Sequence, residues 1–364
     1  MKIVIAAWHV RDFNVGLGRY ARELIEAIGR VDREHDYLVL MPPSACAFTA
    51  RPNMVYRTIR IPFFRRRVWE QVAPLAAGTY DVLHFPYDSC IAWKRGKFVA
   101  TIHDLKPLVL AHHRPRPSFN ERLFSLVIGD RWARLDHVVT DSLCSQGDIL
   151  RLLPLEEDRV TVVYPGVDTQ RFAPAARGEE GEGAKPYVLC VAGKDPAKNV
   201  ETLIDAFARL PQPIRQRYDL VLAGDVGKRA GVVDLVTQLG LTDCVQIPGP
   251  VSDDRLLRLY RQARLFVFPS RYEGFGLPVL EAMACGCPVI ASNASSLPEV
   301  VGDAGAQVEP DDVEGLAREM RSLLSDESRW QELRKRGLVR ARQFSWDETA
   351  RRMVEVYRKV AAQA

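Results

Sequence analysis

Residues 268–281 read Phe268-Pro-Ser-Arg-Tyr-Glu273-Gly274-Phe275-Gly276-Leu277-Pro278-Val-Leu-Glu281, and this stretch decides how the chain is organised. The apolar run Leu265-Phe266-Val267-Phe268 that leads into it reads as a buried strand. Pro278 suits the first turn of a helix and Gly286 its C-terminal stop. Another strand follows at Pro288-Val289-Ile290-Ala291, so the order is strand, glycine loop, helix, strand. Gly274 and Gly276 carry no side chains, which lets backbone N–H groups approach a ligand closely. N–H groups at a helix N-terminus favour an anion such as phosphate. Glu273 on the loop and Glu281, expected in the first helical turn, put an acceptor on either side of that anion site. A sugar nucleotide, with a diphosphate between two hydroxyl-bearing rings, suits this pattern. A solvated loop carboxylate and one that merely complements the helix dipole account for the same two residues.

Working outward, two series of alternating strand and helix signals appear, the pattern of parallel sheets covered by helices. In the first half, strands are expected at 2–7, 37–41, 81–85, 98–102, 137–140 and 160–163, with a helix over 19–29. In the second half they are expected at Tyr187–Ala192, Leu220–Ala223, Val245–Ile247, Leu265–Phe268 and Val289–Ala291. Residues 173–186, rich in Gly, Glu, Pro and Ala, hold no large apolar side chain and read as a linker. This divides the chain into an N-terminal domain (1–172), a linker (173–186), a C-terminal domain (187–345) and a last helix (346–364). A chain of 364 residues with 47% hydrophobic and 26% charged residues fits two globular domains, and no apolar run reaches membrane-span length. Met1–Ala7 reads as a first strand rather than a signal peptide. Seven cysteines without framework spacing point to reduced thiols in the cytoplasm, and Cys285 and Cys287 to packing rather than metal binding. The net charge of +4 is too small and too dispersed for a nucleic-acid partner. One local cluster, residues 60–69 (R-I-P-F-F-R-R-R-V-W), interleaves arginines with aromatics. An anionic membrane surface suits it, and a solvated face beside packed aromatics explains it equally well.

The run E-G-F-G-L-P-V-L-E-A-M-A-C-G-C-P-V-I-A-S, residues 273–292, resembles the E-x7-E signature of retaining GT-B glycosyltransferases, and its context resembles family 4. The resemblance extends over nearly the whole chain and is nearest to the mannosyltransferase-like branch. It implies an α/β fold of GT-B architecture, two Rossmann-like domains facing across a cleft, with the last helix crossing back to the first domain. Gly16-Leu17-Gly18 is expected as a loop before the helix from Arg19; it reads as a tight turn or as a phosphate or sugar site, and the resemblance places Gly16 and Gly18 beside the donor. In T-I-H-D-L the resemblance gives His103 the role of bonding the transferred sugar and Asp104 that of orienting the loop, while His84 is a weaker candidate. Lys198 follows a strand and can neutralise a leaving diphosphate. The family usually pairs such a lysine with an upstream arginine; here Gly193-Lys194 occupies that region and Ala197 stands where a second base is common, leaving Lys194 as the candidate substitute. The Gly249-Pro-Val251-Ser-Asp253 segment resembles the loop whose backbone reads the nucleotide base, and a plain turn explains it too.

The expected activity is transfer of a sugar from a nucleotide-sugar donor, GDP-mannose first, to a glycan or lipid-linked acceptor in bacterial polysaccharide or glycoconjugate synthesis. His103, Lys198 and Glu273 are the expected catalytic residues. Donor contacts fall to Gly16, Gly18, Lys194, Val251, Gly274, Phe275, Gly276, Leu277 and Glu281, the last on the ribose. No Asp-x-Asp occurs in the chain, so no metal and no cofactor beyond the donor is expected. Retention of configuration and same-face attack come from the resemblance alone. A UDP- or dTDP-sugar donor, a sugar-nucleotide epimerase or hydrolase, and a non-catalytic glycan-binding protein are the alternatives. The expected location is the cytoplasm, with the 60–69 patch offering contact with the inner face of the membrane.

Overall fold

Side chains on a parallel strand alternate between two faces, and both faces must be covered. The chain meets this demand twice. A computed structural model describes residues 1–11, 16–43, 45, 47–61, 66–89, 91, 95–110, 134–175 and 185–363. Within them the chain forms two compact units, Met1–Gly166 with Ser345–Ala364, and Val167–Phe344.

The first unit contains β1 (Lys2–Ala6), β2 (Asp36–Met41), β3 (Met54–Thr58), β4 (Val82–Phe85), β5 (Lys97–Thr101), β6 (His137–Thr140) and β7 (Val160–Val162). They pair in parallel in the order β3-β2-β1-β4-β5-β6-β7. On β1, Ile3 and Ile5 pack into one core and Val4 and Ala6 into the other, so both faces are dry. The helix Gly16–Val31 covers one face through Leu24, Ala27 and Ile28. It begins three residues before the expected Arg19, so Gly16 and Gly18 lie in its first turn rather than in a preceding loop. Gly18 is buried there, and residues 12–15 lie outside the described residues.

The second unit contains β8 (Tyr187–Val191), β9 (Asp219–Ala223), β10 (Val245–Gly249), β11 (Leu265–Phe268), β12 (Val289–Ser292) and β13 (Ala306–Val308), in the parallel order β10-β9-β8-β11-β12-β13. On β11, Leu265 and Val267 enter one core and Phe266 and Phe268 the other. The helix Leu277–Ala284 follows, with Pro278 in its first turn. Gly286, at φ +75°, returns its N–H to the Met283 carbonyl at 2.9 Å and ends that helix as expected. The expected domain boundary after residue 172 falls later than the division of units, because Val167 and Phe172 are buried in the core of the second unit beside Tyr260 and Phe266. The edge strands β3 and β13 are additions to the expected set.

The helix Trp346–Ala361 packs in the first unit against Gly16–Val31, burying Met353, Val356, Tyr357 and Val360. Ser345 caps it by accepting the Glu348 N–H at 3.2 Å, and the Thr349 hydroxyl donates to the Tyr164 carbonyl at 2.8 Å. Gly166 lies under its start, where an added Cβ would sit 2.1 Å from the Trp346 nitrogen and 2.4 Å from the Ser345 carbonyl carbon. Backbone atoms cannot rotate away, so Gly166→Ala should loosen this helix. The expected result is a drop in the thermal midpoint, roughly 2–4 °C for each kcal/mol lost, with faster proteolysis near residue 345. An unchanged midpoint would contradict the packing described.

Candidate active site

In a doubly wound sheet, ligands collect beyond the C-terminal strand ends where the strand order reverses. In the second unit that point lies between β8 and β11, and the two loops that leave it carry Lys198 and Glu273. Lys198 Nζ lies 2.8 Å from Glu273 Oε1 and 3.0 Å from Oε2, with side chains 21% and 13% exposed. The ammonium also sits 4.9 Å from the Phe268 ring centroid, a favourable face for a cation.

Backbone contacts tie these loops together. Asp195 Oδ1 accepts the Ala197 N–H at 2.9 Å, and the Asp195 carbonyl accepts the Lys198 N–H at 3.1 Å. The Arg271 N–H donates to the Ala197 carbonyl at 2.8 Å. Asn199, in the left-handed region at φ +55°, donates its side-chain amide to the carbonyls of Pro269 (3.1 Å) and Pro310 (2.6 Å). Behind the Glu273 loop stand two serines. Ser295 Oγ accepts the Glu273 N–H at 3.2 Å and donates to its carbonyl at 2.5 Å. Ser296 Oγ lies 2.9 Å from the Glu273 carbonyl and 2.8 Å from the Phe275 carbonyl, which share its single hydroxyl proton. Gly276 adopts φ +116°, and a Cβ there would meet Leu297 Cδ2 at 2.7 Å, so only glycine fits.

Gly274, Phe275 and Gly276 are buried and Leu277 half-buried at the start of the helix. Glu281 is 4% exposed and lies in the second turn of Leu277–Ala284, one turn beyond its expected place. The reason is that Leu277 already opens the helix. Lys194 is exposed on the β8 loop, and Val251 is half-buried after β10. Around Val251, Gly249 (φ +74°) lends its carbonyl to the Gly224 N–H at 2.9 Å, and Ser252 caps the helix Asp253–Gln262. Cys285 and Cys287 are buried in the core, where burial pushes the Cys285 thiol up to about 12.

In the first unit, His103 follows β5 at the C-terminal edge of its sheet. Nδ1 lies 2.6 Å from Asp141 Oδ2 and Nε2 lies 3.2 Å from the Pro86 carbonyl. Both neighbours are acceptors, so the doubly protonated ring satisfies both nitrogens. Burial, the largest single influence, lowers the His103 pKa, but Asp141, the Pro86 carbonyl and Asp104 together outweigh it and hold the ring above its ordinary value. Asp104 Oδ1 accepts the Lys106 N–H at 2.9 Å and so fixes the turn after β5. His84 is a core residue instead: Nδ1 meets Tyr357 Oη at 2.7 Å, Nε2 meets Thr101 Oγ1 at 2.9 Å, and burial lowers its pKa to about 3. His9 is likewise lowered to about 4, chiefly by burial and then by Arg66.

Five residues that contact these candidates or their loops were not foreseen: Asp141 in the first unit, and Asn199, Ser295, Ser296 and Arg229 in the second, the last beside the Asp195 carbonyl. Each follows, or lies within a few residues of, a strand end on the ligand edge. That placement was the available signal.

This fold and site define a glycosyltransferase of GT-B architecture. Residues 174–342 match the model described as glycosyl transferases group 1, and residues 15–171 the one described as glycosyltransferase family 4. The chain is 30% identical to the O-antigen chain mannosyltransferase B of Escherichia coli, over 98% of this chain and all of that protein. It is 34% identical to the MMP alpha-(1→4)-mannosyltransferase of Mycolicibacterium hassiacum, over 78% of this chain and 72% of the relative. Among solved structures, a sucrose-phosphate synthase from Thermosynechococcus elongatus superposes over the full length of both chains with a TM-score of 0.79 at 24% identity. Anabaena HepE, solved with UDP and glucose, covers 99% of this chain and all of its own with a TM-score of 0.73 at 20% identity. The chain belongs to the group 1 glycosyltransferases, family 4.

The histidine pair gives a pH test. A pKa held above 6.5 in the folded protein contributes stability that is complete below that value and is lost as pH rises through the folded value. Denaturation midpoints should therefore fall from neutral pH upward, and His103→Gln should remove that part of the dependence. Parallel profiles for the two proteins would contradict a charged His103–Asp141 pair.

Proposed function

We propose that this glycosyltransferase transfers mannose from GDP-mannose to a glycan or lipid-linked acceptor, with retention of configuration and without a metal ion. The observation that carries the reading is the Lys198–Glu273 pair at the β8/β11 switch point. A lysine there can stabilise charge as it develops on the leaving diphosphate, and a carboxylate beside it can accept hydroxyls of the transferred sugar. The loop Gly274–Leu277 opens a helix whose N-terminus favours the same phosphates. Lys194, Val251 and Glu281 complete the donor contacts, Val251 toward the base and Glu281 toward the ribose. Gly16 and Gly18, in the first turn of their helix, border the donor and acceptor. His103 reaches the sugar by exchanging its longer bond, the one to Pro86, while Asp141 keeps the ring oriented.

In the proposed step, the acceptor hydroxyl oxygen attacks the anomeric carbon on the face from which the diphosphate leaves. The carbon–oxygen bond to the phosphate breaks as the new glycosidic bond forms, and the hydroxyl proton passes to the departing phosphate oxygen. The mannosyl preference rests on the two mannosyltransferase relatives, and the acceptor class on the O-antigen chain in the name of one of them.

Contact with the cytoplasmic face of a membrane is part of this reading. Pro62, Phe63, Phe64 and Arg65 of the 60–69 patch lie outside the described residues, and no helix of the described residues is long and apolar enough to cross a membrane. Val68, Val72 and Leu75, each about 40% exposed, support peripheral contact from the helix Arg66–Val72 and the turn after it. Equal flotation with neutral and anionic vesicles would oppose it; loss of binding to anionic vesicles after charge removal at Arg60 and Arg67 is expected.

The donor reading is tested with a panel of GDP-mannose, GDP-fucose, UDP-glucose, UDP-GlcNAc, UDP-galactose and dTDP-rhamnose in the presence of chelator. GDP-mannose should stabilise the protein selectively and be turned over slowly to GDP, and Lys198→Ala should slow turnover by about 100-fold or more with the fold intact. A fully active Lys198→Ala protein, or preference for a UDP-sugar, would overturn the corresponding assignment.

A further inference from the structure

We propose that Arg229 is a second cation for the donor diphosphate, held by Glu201 in the free protein. The inference deepens the donor reading above and rests on it. Its basis is a shared oxygen: the Asp195 carbonyl accepts the Lys198 N–H at 3.1 Å and faces Arg229 Nη1 at 3.5 Å. The guanidinium therefore lies against the loop that carries Lys198, although it comes from the segment after β9. Gly224 makes that approach possible. At φ +109°, an added Cβ would lie 2.1 Å from the Ala192 carbonyl oxygen, so the chains leaving β8 and β9 touch at backbone level.

The charges argue for more than one cation. A nucleoside diphosphate leaves with more than a single negative charge, and the ammonium of Lys198 is opposed by both oxygens of Glu273. Arg229 supplies a planar fork suited to phosphate oxygens, and its side chain is 14% exposed, in a partly desolvated place where a charge counts for more. Its Nη2 lies 2.6 Å from Glu201 Oε1. Glu201 stands in the first turn of the helix Val200–Ala208, where the helix dipole supports a carboxylate even after the arginine departs. Exchange of Arg229 from Glu201 to phosphate therefore leaves neither charge unsupported. The neighbouring Lys228 differs: it is 70% exposed and paired with Asp225 on its own turn.

Ligand-detected NMR titrations with GDP, UDP, guanosine and uridine at fixed ionic strength test this. The proteins are wild type, Arg229→Gln, Arg229→Lys, Glu201→Gln and Lys228→Gln, each with its thermal midpoint recorded. Arg229→Gln should weaken the preferred diphosphate about tenfold or more while changing the matching nucleoside less than about twofold. Arg229→Lys should recover part of the loss, Glu201→Gln should bind the diphosphate at least as tightly as wild type, and Lys228→Gln should match wild type. Equal losses for diphosphate and nucleoside, or none, would overturn the inference. So would a Glu201→Gln protein weakened as much as Arg229→Gln, because the pair would then be a structural clamp; this arm decides the matter even if Arg229→Gln unfolds. Wild-type protein that binds neither diphosphate would remove the donor reading itself, whereas tight binding untouched by Arg229→Gln would remove this inference alone.

Discussion

Parallel pairing is the constraint on which the rest of this protein depends. A parallel strand can be reached only by a crossover, and the crossover brings every loop that follows a strand to the same edge. Both faces of the sheet are then covered, which is why β1 and β11 are apolar at successive positions rather than at alternate ones. Where the strand order turns back on itself, neighbouring loops diverge and leave room for a ligand. Lys198 and Glu273 are 75 positions apart in sequence and meet because β8 and β11 are neighbours at that turn.

The two units use their edges differently. In the second, a lysine–carboxylate pair is locked by backbone and hydroxyl bonds from three loops, with Asn199, Ser295 and Ser296 as the fasteners. Such redundancy holds the backbone of the loops that carry the pair in place before any ligand arrives. In the first unit, burial lowers the His9 and His84 pKa values to about 4 and about 3, while Asp141, with the Pro86 carbonyl and Asp104, raises that of His103 against its burial. The same side chain is thus shifted in opposite directions within one unit, downward where burial dominates and upward where acceptors surround it.

Local pattern carried the fold a long way. The β11 strand, its glycine loop and the helix after it were legible because four apolar residues, a helix-starting proline and a helix-stopping glycine occur in order. The edge strands β3 and β13 were not, since β3 is largely exposed and β13 has three residues, too few for periodicity. Gly16 and Gly18 misled because glycine usually breaks a helix, yet burial of Gly18 in the first turn makes a small residue useful. Glu281 was displaced by a turn because Leu277, not Pro278, starts its helix. The candidates Lys198, Glu273 and His103 came from a family resemblance. Asp141, Asn199, Ser295, Ser296 and Arg229 could not be read in this way, because their roles exist only as contacts between loops distant in sequence.

The role proposed for Lys198 on the donor diphosphate implies that Glu273, which holds it in the free protein, yields it when the donor binds. Calorimetric titration of GDP into wild type, Lys198→Ala, Glu273→Gln and the double variant tests it most directly. The account predicts that Lys198→Ala weakens GDP binding, that Glu273→Gln preserves or tightens it, and that the double variant behaves like Lys198→Ala. A Glu273→Gln protein that loses GDP as completely as Lys198→Ala would contradict the account, for the pair would then be a scaffold rather than a charge passed to the ligand.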